Sequence, residues 1–255
     1  MGTKILGGVV DVKVQDQTTE IIDLHLTKLV QAITIVTDTE VDDTTITISS
    51  SAEPTNGNIL CLKEGLAFYQ GEILSHSASG DNWDVVVDTP LDYAFTTAGG
   101  CSERSDNLAV NGSVTPQIFV VSPKGLRKDV KWDITRIMGV ITDATAMDDG
   151  KFGGISALTK GVVFRKVNGT TKNIFNVKTN GDLAAHMYDV QYIDSTLGPS
   201  GNYSLRFRRT FAGQDKTGVV IRLESSGDDE FQCIIQDDLT DLIDFQLIAQ
   251  GHIVD

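Results

Sequence analysis

The stretch RFRRTFAGQDKTGVVIRL, residues 206–223, sets two alternating runs on either side of a polar hexapeptide, AGQDKT. With Leu205 included, Leu205, Phe207 and Phe211 share one parity, and so do Val219, Ile221 and Leu223. Period-two alternation is the signature of a strand with one buried face. The spacing therefore predicts a hairpin whose six apolar residues line a core and whose AGQDKT tip is a loop. Arg206, Arg208 and Arg222 fall on the opposite face, where like charges need acids on a neighbouring strand or another chain. Gln214, Asp215 and Lys216 at the tip contain no nucleophile paired with a base. Arg206, Arg208, Arg209, Asp215 and Lys216 are accordingly candidate interface residues, not catalytic ones.

The same period runs through most of the 255 residues. TTITIS (44–49) and WDVVVDT (83–89) are rich in β-branched residues, with Thr and Asp on the other face. Asn168-Gly169 lies between GVVFRKV and TTKNIFNVKT and predicts a hairpin with a type I′ turn. Asn56-Gly57, Asn111-Gly112 and Asn180-Gly181 mark further strand ends. TEIIDLHLTKL (19–29) fits alternation better than a helix. Short helical turns are expected at DLAAHM (182–187) and DDLTDL (237–242), with Asp182 and Asp237 as caps.

These patterns predict an all-β protein of two modules. A small β-barrel or sandwich over 1–115 precedes a jelly-roll-like β-sandwich over 116–255, with strands at QIFVVSP, VKWDITRIMGVI, GVVFRKV, KNIFNVK, YDVQYID, YSLRFRRTF, GVVIRL, EFQCIIQ and FQLIAQGHIV. The last of these, near the C-terminus, is apolar enough to be tied into a sheet.

Charge divides the chain at the same place. Residues 1–115 hold five Lys/Arg against 17 Asp/Glu, a net of −12, and residues 116–255 carry a net of −2. An acidic module repels a phosphate backbone, which argues against direct nucleic-acid binding. No apolar run is long enough for a membrane helix, and MGTKILGGVVDV lacks the apolar stretch of a secretory signal. The expected setting is a protein assembled in a cytoplasm. Cys61, Cys101 and Cys233 show no metal-ligand spacing, and Cys61 and Cys233 sit in strand-like runs where a thiol acts as a small hydrophobe.

Catalytic patterns are missing from the sequence. His25, His76, His186 and His252 belong to no HExxH or HxH unit, and neither a nucleophile elbow nor a phosphate-binding glycine loop occurs. Acidic clusters at Asp38-Thr-Glu40-Val-Asp42-Asp43, Asp228-Asp229-Glu230 and Asp237 to Asp244 supply oxygens for a cation without the spacing of a helix–loop–helix calcium site. No cofactor is expected.

Several phrases together carry a resemblance: DVKVQDQTTEIIDLHL, TTITISSSAEPTNGNILCLKEG, FYQGEILSHSASGDNWDVVVDTPLDYAFTTAGG, LAVNGSVTPQIFVVSP, KWDITRIMGVI and NYSLRFRRTFAGQDKTGVVIRLESSGDDEFQCIIQDDLTDL. The chain resembles tailed-bacteriophage virion structural proteins of the tail or baseplate kind. The resemblance implies a non-enzymatic subunit of a phage tail tip, baseplate or adaptor. Its partners would be other virion proteins and copies of itself, and its place the virion. A receptor- or glycan-binding module of the tail, with Trp83, Trp132, Tyr93 or Tyr203 stacking on a sugar, is the second reading. A polysaccharide-cleaving enzyme is the third.

Overall fold

The computed structural model describes residues 20–187, 189–194, 202–211 and 221–254. The chain is all-β. It begins with β1 (Glu20–His25), then enters a run of six strands: β2 (Lys28–Ile35), β3 (Thr45–Ser50), β4 (Ile59–Glu64), β5 (Ala67–Ser79), β6 (Asn82–Val87) and β7 (Gly100–Ser105). These close into an antiparallel barrel of order β2-β3-β6-β5-β4-β7. Closure follows from alternation: Ile33, Ile35, Ile46, Ile48, Leu60, Leu62, Ile73, Val85 and Val87 all point into one core. The segment after β6 plugs it with Leu91 and Phe95, whose backbone bonds Asp43 and Thr39.

Nine further strands and one α-helix among the described residues join β1 in the second unit. They are β8 (Gln117–Val121), β9 (Lys131–Asp143), β10 (Val162–Val167), β11 (Thr171–Val177), the helix α1 (Asn180–His186), β12 (Asp189–Asp194), β13 (Tyr203–Thr210), β14 (Ile221–Glu224), β15 (Glu230–Ile235) and β16 (Asp244–Val254). One sheet runs β1-β16-β9-β13-β12 and the other β11-β10-β15-β8. Taken in chain order, β1, β8, β9, β10, β11, β13, β15 and β16 trace a jelly roll, packed around Trp132, Phe119, Phe152, Phe164, Phe231 and Phe245. Its first strand is β1, which pairs with β16 from Glu20↔Ile253 to His25↔Ile248. The barrel is thus an insertion between the first and second strands of the jelly roll. A linear division at 115 falls in the segment that leaves the barrel but leaves β1 on the far side from its sheet.

The nine expected strands beyond residue 116 all form, and β16 is an interior strand of its sheet, between β1 and β9. Residues 20–25 and 28–35 are strands, not helix. Four local expectations are corrected. First, the runs around AGQDKT are not a hairpin: β13 pairs with Arg136–Asp143 of β9, and β14 pairs with Lys131–Ile134 of the same strand. They lie end to end along one side of β9, bridged by a bond from the Phe211 N–H to the Thr135 carbonyl at 2.7 Å. Alternation reports which face is buried, and Leu205, Phe207, Ile221 and Leu223 are indeed buried, but it does not report which strand is the neighbour. AGQDKT itself, with Asp215 and Lys216, lies outside the described residues.

Second, the β10–β11 hairpin forms with a three-residue connection, Asn168 to Thr170, in which only Gly169 has positive φ, +76°. The type I′ turn needs two such residues and does not form. Third, α1 is capped by Thr179, while Asp182 takes the third helical position and returns its carboxylate to the Thr179 N–H. This is a capping box. Fourth, DDLTDL forms turns, because Asp237 spends both carboxylate oxygens on the N–H groups of Thr159, Lys160 and Gly161.

Candidate functional site

Two surfaces concentrate chemistry, and both follow from how the barrel is mounted on the jelly roll. The first is the outer face of the sheet that contains β9, β13 and β16. Inward residues Ile137, Ile141, Leu205, Phe207 and Leu247 belong to the core, so their neighbours Met138, Val140, Arg206, Arg208, Gln246 and Ile248 face outward. Together these six line a shallow groove of 350 Å³. Arg206 and Arg208 are exposed there, beside partly buried apolar side chains.

Arg209 does not join them. It has the parity of the buried face, and its guanidinium lies 5.1 Å from the Phe175 ring centre and 5.8 Å from Phe211. It also donates to the His186 carbonyl at the end of α1, where a cation is favoured by the helix dipole. Arg209 is a fold-holding residue. Arg222 finds its acid on the adjacent strand, in a two-pronged pair with Asp133 that pushes the guanidinium's affinity for its proton up.

The second surface is a cleft of 370 Å³ between barrel and jelly roll. The junction around it is bonded by backbone and side chains alike. Thr27 and Val120 exchange backbone bonds, Arg127 N–H donates to the Gly65 carbonyl, and the Gln70 amide brackets the His25 peptide group. Between residues 28 and 105 the sequence has three cations, Lys28, Lys63 and Arg104, against twelve acids. All three cations are placed at this junction. Lys28 donates to Gln117, Arg104 grips Thr27 through Nε and Nη2, and Lys63 reaches the carbonyls of Ser122 and Lys124 at 2.7 and 2.8 Å. The Lys63 ammonium also sits 5.5 Å from the Phe68 ring centre and 5.7 Å from Trp132. Burial is the main cause that pushes its pKa down to about 8.

Neither Lys63 nor Trp132 stands in a motif, so sequence patterns passed over the cleft. The signal available was the scarcity of cations in residues 28–105, which makes each one conspicuous. Trp132 is almost completely buried, 1% exposed, and is not a surface stacking platform. Trp83 packs edge-on against His76.

The remaining candidates disperse. His25 pairs with Asp106, His76 with Glu53 and Asn56, and His186 stacks on Phe175. Asp38, Asp43 and Asp238 accept backbone N–H groups, while Asp228 and Asp229 pair with Lys124 and Lys166. Among the described residues no three His, Cys, Asp or Glu side chains converge as metal ligands. The cysteines are free thiols, and burial pushes all three up, Cys101 to about 12. No helix among the described residues is long and apolar enough to cross a membrane. Comparison with protein-family models, curated proteins and solved structures finds no match to this chain.

Proposed function

We propose that the chain is a non-enzymatic structural subunit of a bacteriophage virion, a tail-tip, baseplate or adaptor component that assembles with copies of itself and other virion proteins. The observation that carries this reading is the segregation of charge. With its three cations turned to the junction, the barrel presents most of its carboxylates to the outside, Glu103 being buried, while the jelly-roll sheet presents Arg206 and Arg208 around an apolar groove. Acidic and locally basic surfaces on one subunit favour heterologous contact between copies, giving register more than raw affinity. The resemblance to tail and baseplate sequences supports the same reading.

The test has two parts. Native mass spectrometry and light scattering should find oligomers at low salt that dissociate at about 0.5 M NaCl, where screening shortens to a few ångströms. Arg206→Glu with Arg208→Glu should abolish them while leaving the monomer's circular dichroism unchanged. Immunogold labelling of particles released by cells carrying the gene should decorate the tail. A chain that stays monomeric at high concentration and is missing from particles would overturn the proposal.

A further inference from the structure

We propose that the cleft between barrel and jelly roll binds a small ring-bearing carboxylate, held by Lys63 and Arg104 against the wall formed by Phe68. The inference is independent of the assembly reading. It begins with an imbalance. The chain has 35 acids and 21 Lys/Arg, yet Lys63 and Arg104 make no ion pair among the described residues. Lys63 bonds carbonyls and faces aromatic rings, with Glu230 acting on it from across the cleft without a direct ion pair, and Arg104 bonds Thr27. Both cations are partly buried, and a cation partly withdrawn from water is normally paired, because desolvation opposes the charged form.

The donors left over define the ligand. An ammonium has three N–H groups, and Lys63 commits two to the carbonyls of Ser122 and Lys124. Arg104 commits Nε and one Nη2 hydrogen to Thr27, which leaves its outer N–H groups. That is a set for the two oxygens of a carboxylate. A phosphate dianion fits less well, since Glu230 also lines the cleft and repels a second negative charge. The cleft volume, 370 Å³, lies at the small end of the ligand-site range of roughly 300–1,000 Å³. Phe68, packed edge-on against Trp132 at 5.0 Å, supplies an apolar wall for a ring.

Titration adds a second signature. The charged and titratable groups around Lys63 are Cys61 on β4, Arg104 on β7, Lys124 before β9 and Glu230 on β15. A bound carboxylate favours the protonated Lys63, so binding should take up a proton near neutral-to-alkaline pH and weaken as Lys63 deprotonates.

The experiment follows the Trp132 indole N–H resonance of the wild-type protein during titration with benzoate and glucuronate, with benzyl alcohol and inorganic phosphate as controls. Saturable shifts are expected for the two carboxylates, with weaker responses to the controls. The affinity should fall between about pH 7 and pH 9.5, across the Lys63 titration. Lys63→Met and Arg104→Gln should each weaken benzoate roughly tenfold or more, as loss of a charge-assisted bond does. No saturable shift with either carboxylate in the wild type overturns the proposal, as does equal response to benzyl alcohol. Should a variant fail to fold, the wild-type pH dependence decides: an affinity flat across that range also overturns it.

Discussion

Arg222 and Asp133 face each other in register across β14 and β9, joined by bonds of 2.7 Å from Nε to Oδ1 and 2.6 Å from Nη2 to Oδ2. This pair holds the short strand β14, four residues long, to the middle of the jelly roll. Bidentate geometry is the favourable case for an ion pair, but Arg222 remains nearly half exposed. Arg222→Ala and Asp133→Ala should each destabilise by about 1 kcal/mol. A double-mutant cycle by urea unfolding should return a coupling of about 0.5–1 kcal/mol that shrinks in high salt.

Gly139 sits at the centre of β9, where a Cβ would come within 2.3 Å of the Phe207 ring and 2.7 Å of Leu247. The missing side chain is what admits the phenyl group to the core. Gly139→Val should cost about 1–3 kcal/mol through overpacking, read as a lowered urea midpoint. Phe207→Leu should recover part of that loss in the double variant, because the ring is the obstructing atom set.

Lys63 makes stability depend on alkaline pH. Its folded-state pKa is about 8, below the ordinary 10.5, so the unfolded chain binds more protons between those values. Stability should therefore rise from pH 8 to about pH 10.5 by at most about 3 kcal/mol from this group. Below pH 8 both states are protonated and the contribution is flat. Thermal unfolding of Lys63→Met over the same range should lack that rise, once other alkaline titrations are subtracted by comparison with wild type.

Glu103 is fully buried in the barrel wall, and its carboxylate takes hydrogen bonds from Gln31 Nε2 at 2.6 Å, the Thr55 N–H at 3.0 Å and Asn58 Nδ2. These bonds pin the connection between β3 and β4. Glu103→Leu strands three donors and should cost about 2–4 kcal/mol. Hydrogen exchange should show the loss first at Thr55 to Asn58. Uniform protection of that segment in the variant would mean that packing, not Glu103, holds it.

Period-two alternation and Asn-Gly punctuation by themselves determined that the chain is all-β and where most of its strands fall. Such patterns are local, so Leu205, Phe207, Ile221 and Leu223 announce a buried face from sequence alone. Which strands meet is a long-range matter. Only the tertiary structure decided that β13 and β14 share β9 instead of pairing with each other, and that Glu20–His25 crosses the barrel's sequence to join β16. The arginine face was partly legible: parity placed Arg206 and Arg208 outward, and the same parity argument, applied to Arg209, places it with the core. The cleft was not legible, because Lys63, Arg104 and Trp132 come from three strands of two units and carry no spacing relative to one another. Their common position arises when the barrel, inserted between the first two jelly-roll strands, packs against the jelly roll and partly shields its few cations from water.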